Sequence, residues 1–198
     1  MANVDAPKGL KPIRQLDGSP FNDQVRMYLV PSTDGTATFI GDAVKLAGSS
    51  GAAGTVVAGQ DVEGLPTIAQ CAAGNTPVGV VVGFLPDPTN LTLLYRASST
   101  NRIALVADGP DTIFEIQEDS VTSTLAATNV GENFDIVVGS GSTTTGVSAM
   151  ELDSNTGSTV TATLRVLRLV KRPDNAIGTN AKWEVMFNEH AYKGVVGV

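Results

Sequence analysis

The chain of 198 residues carries 13 basic and 20 acidic residues, a formal net charge of -7 and a pI of about 4.6. This acidic balance argues against a broad nucleic-acid surface and leaves a protein or a small ligand as the expected partner. The length suffices for one large or two small domains with a self-sufficient core. With 21 glycines and 10 prolines, the composition favours many short strands joined by loops.

Residues 1–21 are predicted to form an extended N-terminal arm. They contain Pro7, Pro12 and Pro20, two glycines and little periodicity, so they are expected to be disordered or to cross to another subunit. Residues 22–198 are then expected to form a single β-rich domain. The polar loop at residues 139–146 is a possible point of subdivision.

The first half of the domain shows three strand signals. Residues 24–30 alternate as in a half-buried strand, and residues 36–46 indicate a strand, a corner at Gly41, and a second strand. Gly41 marks a sharp bend or a close approach to neighbouring backbone. Residues 48–64 contain five glycines and predict a long flexible loop, with an interruption at residues 55–58 left open, whereas the β-branched run at 78–85 predicts a strand covered on both faces.

The centre of the chain, residues 102–118, contains two short β-type runs hinged on residues 108–111. The hinge sequence Asp-Gly-Pro-Asp predicts either a β-hairpin or a tight β-corner. A further strand is expected at residues 91–95. The apolar residues of the central stretch are expected to supply core: Ile103, Leu105, Ile113, Phe114 and Ile116.

The last third predicts a helical turn or loop at residues 125–130 and strands at 133–138, 150–152, 161–170 and 182–188. In the last of these, Trp183, Val185 and Phe187 alternate with polar positions. The total is about nine to eleven short strands with little helix. The predicted fold is therefore all-β, an antiparallel β-barrel or β-sandwich with an extended arm and long Gly/Ser/Thr-rich loops.

Catalytic and metal chemistry finds little support. The single cysteine, Cys71, is expected to be buried, and the single histidine, His190, has no serine-elbow motif to serve. Five carboxylates cluster near the hinge and are interpreted as turn caps and solvated edge positions: Asp108, Asp111, Glu115, Glu118 and Asp119. Asp108 with Glu115 is the only pair to consider as a glycosidase-like acid pair. No enzyme activity, cofactor or metal is expected.

One local basic feature stands out: Arg165, Arg168, Lys171 and Arg172 lie within eight residues. Regular alternation would place Arg165 and Lys171 on one strand face and Arg168 on the other. These cations either protect a solvated strand edge or form a docking patch for an acidic protein surface. The first residues lack the apolar core of a signal peptide, and the apolar run at 77–85 is too short for a membrane-spanning helix. We therefore expect synthesis in a cytoplasm and no membrane partner.

Four features follow one another along the chain: the polar arm, Gly41-Asp42-Ala43-Val44, the run from Gly79 to Phe84, and the stretch from Ala107 to Gln117. In this order they resemble bacteriophage head structural proteins, above all the capsid decoration or cement proteins of tailed phages. The resemblance covers roughly residues 36–138 by motif.

The resemblance implies a non-enzymatic virion protein that binds the outside of an assembled capsid as a homo-oligomer, a trimer or a dimer, and strengthens it. The implied partner is the major capsid protein, without nucleic acid. Candidate contact residues are the basic cluster and four arm residues: Arg165, Arg168, Lys171, Arg172, Pro7, Pro12, Arg14 and Pro20. Two alternatives share the composition: a phage tail or fibre-associated β protein, and a carbohydrate-active enzyme or sugar-binding module.

Overall fold

The computed structural model describes residues 3–157 and 160–194. Nine strands are five residues or longer: β1 (Lys11–Gln15), β2 (Arg26–Val30), β3 (Ala43–Ser50), β6 (Pro66–Gln70), β7 (Gly79–Phe84), β8 (Arg102–Ala107), β9 (Thr112–Gln117), β13 (Leu164–Leu169) and β14 (Lys182–Phe187). Five contain two residues: β4 (Val56–Val57), β5 (Gln60–Asp61), β10 (Asn133–Phe134), β11 (Ile136–Val137) and β12 (Glu151–Leu152). A single 3₁₀ turn spans Ala127–Asn129, where a helical turn or loop was expected.

Five strands form an open main sheet in the order β1-β9-β14-β13-β10, with every pairing antiparallel. On its inner face Trp183 lies opposite Ile116, and Val185 lies between Phe114 and Val166. All of these side chains are fully buried. The predicted alternation in the last strand is thereby confirmed, and it explains which face of the sheet supplies the core.

A second set of strands pairs in a closed ring, β2-β6-β3-β7-β8, with β8 returning to β2. All contacts are antiparallel except β2 with β6, which meet through one parallel pair, Leu29 with Thr67. Val80 and Ala107 of the ring belong to the same hydrophobic cluster as the inner face of the main sheet. The two layers share a core in a sandwich-like arrangement, which confirms the predicted all-β class.

The central stretch is a β-corner rather than a hairpin. Strand β8 pairs with β2 and β7 in the ring, whereas β9 pairs with β1 and β14 in the main sheet. The hinge therefore carries the chain from one layer to the other. Both strands are mostly buried. The exceptions are Glu115 of β9 and Leu105 of β8, which are half-buried; Leu105 lies opposite the exposed Met27.

Three loop and strand assignments were wrong in whole or in part. Residues 36–40 form only isolated bridges, at Thr38 and Ile40, where a strand was expected. Residues 91–95, all of them described, lie in turns and irregular structure instead of a strand. Residues 48–64 are more ordered than predicted, because β3 extends to Ser50 and β4 and β5 form a small hairpin over the fully buried Val62. Val57 and Val62 are both buried and pack with Leu29 and Ile103, contacts that order this glycine-rich segment and that composition does not reveal.

The prediction that the N-terminal arm is disordered or crosses to another subunit was also wrong for residues 3–21, which pack on their own chain. Strand β1 pairs with β9 of its own chain, and Leu10 is buried. Asn3 donates its side-chain amide to the carbonyls of Ala176 and Thr179, both at 2.8 Å. Pro12 is tolerated because β1 is an edge strand. The remaining positions of the predicted arm and domain, residues 1–2, 158–159 and 195–198, lie outside the described residues.

Two buried arginines organise the loops between β2 and β3 and between β7 and β8. Arg96 is fully buried and donates to four backbone carbonyls, those of Pro31, Asp34, Thr36 and Thr100. Arg102 donates to the carbonyls of Leu85, Leu93 and Tyr95, and its guanidinium lies 5.0 Å from the ring centre of Phe84. Each guanidinium thereby joins several loop carbonyl groups, which would otherwise lack these hydrogen-bond donors.

Candidate interaction surface

The outer face of the main sheet brings together the arginines that the sequence singled out. We call this surface the arginine face and define it by Arg14 on β1, Arg165 and Arg168 on β13, and Arg172 just after β13. Arg14 and the basic cluster are far apart in sequence. They become neighbours because β14 lies between β13 and β9, and β9 in turn pairs with β1.

A β-bulge in β13 sets the orientation of two of these side chains. Arg165 pairs with Met186 and Arg168 pairs with Glu184, so that the register skips one residue between Val166 and Arg168. Arg165 and Arg168 are both exposed and share the outer face. The prediction that Arg168 would point the opposite way was wrong, because an extra residue in one strand reverses the alternation beyond it.

Glu184 holds two of the arginines in place. Its carboxylate accepts a hydrogen bond from the guanidinium of Arg14 through one oxygen, and lies 2.9 Å from Arg168 Nη2 through the other. The pair of cations covers Glu184 so well that only 5% of the residue is exposed. A carboxylate at this depth requires such partners, because an unpaired buried charge is strongly destabilising.

The other arginines are also satisfied within the chain. Both terminal nitrogens of Arg172 lie 3.0 Å from the carboxylate oxygens of Glu115, a two-pronged ion pair. Arg165 donates to the side-chain carbonyls of Asn133 and Asn188. Lys171 is exposed. Each arginine of the face therefore has a polar partner within the chain, and much of the charge of the face is compensated locally.

The three prolines proposed as contact residues have different environments. Pro12 lies in β1 opposite Phe114, and Pro7 is half-buried four residues before that strand. Pro20 is exposed and forms an isolated bridge with Arg14 in the turn that follows β1. Only Pro20 thus combines full exposure with proximity to the arginine face.

Sequence reasoning missed the carboxylates that organise this surface and the lysines beside it. Glu115 and Glu184 face each other across β9 and β14, which only the strand order reveals. Lys8, Lys11 and Lys182 line a groove of about 300 Å³ together with Arg172 and Glu115. The alternation of β14 does predict part of this surface. Because Trp183 and Val185 point into the core, Lys182 and Glu184 of the same strand must lie on its other, outer face.

The cations of the protein are unevenly distributed. Eight of the 13 basic residues lie in β1, β13 or β14 or within three residues of these strands: Lys8, Lys11, Arg14, Arg165, Arg168, Lys171, Arg172 and Lys182. Of the other five, Arg96 and Arg102 are buried. Arg26, Lys45 and Lys193 therefore provide the remaining basic surface of a chain with 20 acidic residues.

The candidate catalytic residues have structural partners. Asp108 accepts a hydrogen bond from the Tyr28 hydroxyl at 2.7 Å and lies 3.4 Å from Arg26, whereas Glu115 is bound by Arg172. Asp108 thus bonds to residues of the ring, whereas Glu115 bonds to a residue beside the main sheet. His190 is buried, and burial lowers its pKa. Among the residues that the structure describes, no cluster of three or more histidine, cysteine or carboxylate side chains could hold a metal ion.

Cys71 is buried as expected, and burial raises the pKa of its thiol to about 12. The thiol is therefore protonated at neutral pH and unreactive. Glu118 is a second buried group with a clear structural role. It accepts hydrogen bonds from Trp183 Nε1 and from the Leu125 amide, while burial raises its pKa.

Glu151 makes the stability of the protein depend on pH. Its carboxylate accepts a hydrogen bond from Gln117, which also donates to Asp5, and burial raises the pKa of Glu151 from 4.5 to about 7. A carboxyl group with a raised pKa in the folded state stabilises the fold below pH 4.5. This contribution is lost as the pH rises towards 7, because the unfolded chain ionises more readily.

We expect Glu151→Gln to raise the free energy of unfolding at pH 8 by about 1 kcal/mol, a figure reduced for the partial exposure of the group. At pH 4 the variant and the parent should be equally stable, since both then carry a neutral side chain. Urea denaturation at the two pH values measures the difference. An equal effect at both would show that Glu151 acts through packing instead of ionisation.

No protein-family model, curated protein or solved structure matches this chain. Within the described ranges, the structure contains no helix long and apolar enough to cross a membrane.

Proposed function

We propose that this chain is a structural virion protein that binds the outer surface of an assembled phage capsid and stabilises it. The observation that supports the proposal is the uneven charge distribution: eight of the 13 basic residues of an acidic protein lie in or beside β1, β13 and β14, and four of them form the arginine face. Such a surface complements an acidic protein partner. The net charge of -7 also favours a position away from packaged DNA.

The arginine face is suited to docking because its side chains are already ordered. Glu184 fixes Arg14 and Arg168, and Glu115 fixes Arg172. A long cationic side chain that is ordered before binding loses less conformational entropy when a partner arrives. The partner of this proposal is the major capsid protein, and no catalytic step forms part of it.

Homo-oligomerisation belongs to the same proposal. A capsid presents many copies of each site, and a dimer or trimer would engage several of them at once, which raises the overall affinity without new contacts. Several large apolar side chains are more than half exposed and are candidates for contacts between copies: Val4, Leu16, Val56, Leu91 and Val121. The protein would then reside on the exterior of the virion after synthesis in the host cytoplasm.

Binding to assembled, expanded capsids of the source phage tests the proposal. We expect the chain to co-sediment with them and to raise their temperature of disassembly. Replacing Arg165, Arg168 and Arg172 with glutamate should weaken binding by roughly tenfold or more, because three attractive contacts become repulsive.

The matched control replaces Arg26, Lys45 and Lys193 with glutamate, which changes the net charge equally. Two of these residues also form ion pairs, with Asp108 and Asp111. Thermal unfolding of both triple variants confirms that they are folded. A parent chain that fails to co-sediment contradicts the proposed function, and equal losses in the two variants contradict the role of the arginine face.

A further inference from the structure

Two grooves meet where the N-terminal segment crosses the molecule. The lysine groove, of about 300 Å³, is lined by Lys8, Lys11, Lys182 and Arg172. The apolar groove, of about 340 Å³, is lined mainly by Leu10, Phe21, Ile40, Val81, Val82 and Val147, and the acidic residue Asp23 also lies in its wall. Lys8 and Lys11 line both grooves, so the two form one continuous surface.

The lysines differ from the arginines beside them in lacking partners. Glu115 and Asp174, the two carboxylates that line the lysine groove, both pair with Arg172. Within residues 3–157 and 160–194, Lys8, Lys11 and Lys182 form no ion pair. Four cations thus line a groove that contains two carboxylates, and the three lysines, which form no ion pair, would gain most from an anionic ligand.

The apolar groove is open to solvent but continuous with the core. Phe21 and Val82 are partly buried and pack against the main hydrophobic cluster. A groove of this size accommodates one or two aliphatic side chains. An apolar side chain that entered it would be removed from water without any rearrangement of the protein, which favours binding.

A close crossing of two backbone segments fixes the lysines between the grooves. Gly9 and Gly41 both have positive φ angles, +66° and +99°, and the Leu10 amide donates to the Gly41 carbonyl at 2.9 Å. A Cβ atom on Gly9 would lie 2.3 Å from the Gly41 oxygen, and one on Gly41 would lie 2.4 Å from the Lys8 oxygen. The backbone between Lys8 and Lys11 is therefore held rigidly against the ring.

We propose that the two grooves together bind an extended acidic segment of a partner protein. An aliphatic side chain of that segment occupies the apolar groove, and its carboxylates contact Lys8, Lys11 and Lys182. A peptide fits better than a nucleic acid, because an aliphatic pocket next to the cations offers nothing to phosphate or sugar, and the net charge of -7 opposes a dense polyanion. The inference deepens the proposed function, on which it rests for the identity of the natural partner.

A synthetic peptide tests the inference without any capsid. The probe is a short fluorescent peptide of glutamate and aspartate with one central leucine, and anisotropy at low salt measures its binding to the full chain. We expect Lys8→Glu with Lys11→Glu to weaken binding by roughly tenfold or more, because both cations contact the same ligand. Replacing the leucine of the probe with serine should weaken binding to the parent chain several-fold.

The control variant, Lys45→Glu with Lys193→Glu, changes the charge equally on another surface and should bind the peptide as the parent does. Equal losses in the two variants would overturn the proposal, as would equal binding of the serine peptide. Binding of an oligothymidylate of matched charge as tightly as the peptide would show a general polyanion site and would also overturn it. So would self-association of the parent chain that Lys8→Glu with Lys11→Glu abolishes.

The capsid and peptide assays separate the two proposals. A chain that co-sediments with capsids but does not bind the peptide keeps the proposed function and loses this inference. A chain that binds the peptide through Lys8 and Lys11 but never co-sediments with capsids supports the peptide site and contradicts the proposed capsid function.

Discussion

Phe114→Ala is expected to lower the free energy of unfolding by about 3 to 5 kcal/mol. The side chain is fully buried on the inner face of β9, and its ring centre lies 5.1 Å from that of Phe187. It also lies opposite Val185 on β14, at the centre of the core that the main sheet shares with the ring. Truncation leaves a cavity that strands on both sides cannot close, because each is tied by backbone hydrogen bonds.

Urea denaturation of the parent and the variant measures this difference. Leu105→Ala is the matched control from the same β-corner, since Leu105 is half-buried beside the exposed Met27 and should cost about 1 kcal/mol. A loss from Leu105→Ala as large as that from Phe114→Ala would show that the shared core does not dominate stability.

Arg96→Ala is expected to destabilise the protein by about 3 to 5 kcal/mol. The buried guanidinium donates to four carbonyls in two loops, and burial lowers its pKa, which shows the desolvation that these hydrogen bonds must offset. Removing it leaves buried carbonyls, including those of Pro31 and Asp34, without donors. Both loops should loosen together.

Hydrogen exchange of the two loops, combined with denaturation, tests this role. Arg96→Lys keeps the charge but cannot reproduce the fork of donors, so we expect an intermediate loss. Arg26→Ala serves as a control, because Arg26 is an exposed arginine with a single ion pair to Asp108. Loops that exchange at parental rates in Arg96→Ala would contradict the assigned role.

The sequence predicted individual strands well where burial is regular. Trp183, Val185 and Phe187 alternate because one face of β14 is covered, and the β-branched run from Gly79 to Phe84 forms a strand of the ring whose first three residues are buried. It failed where a single distant contact orders a segment. The segment around Leu10 was predicted to be an extended arm, because nothing in a proline-containing stretch reveals that it will pair with β9 as an edge strand.

The candidate surface was predictable only in part. The basic cluster around Arg168 is visible in the sequence, but its arrangement depends on a bulge that places Arg165 and Arg168 on one face. The pairing of Arg14 with Glu184 joins residues 170 positions apart. Neither the bulge nor the pairing follows from local periodicity, because both depend on which strands become neighbours.

The sequence by itself determined the all-β class and the turn at residues 108–111, since alternation and turn residues are local properties. Only the tertiary structure decided that the central stretch crosses between two layers, that the N-terminal segment completes the main sheet, and that Lys8, Lys11 and Lys182 share a groove. Strand order brings distant residues together through long-range hydrogen bonds and a common core. Those energies arise only once the whole chain has folded.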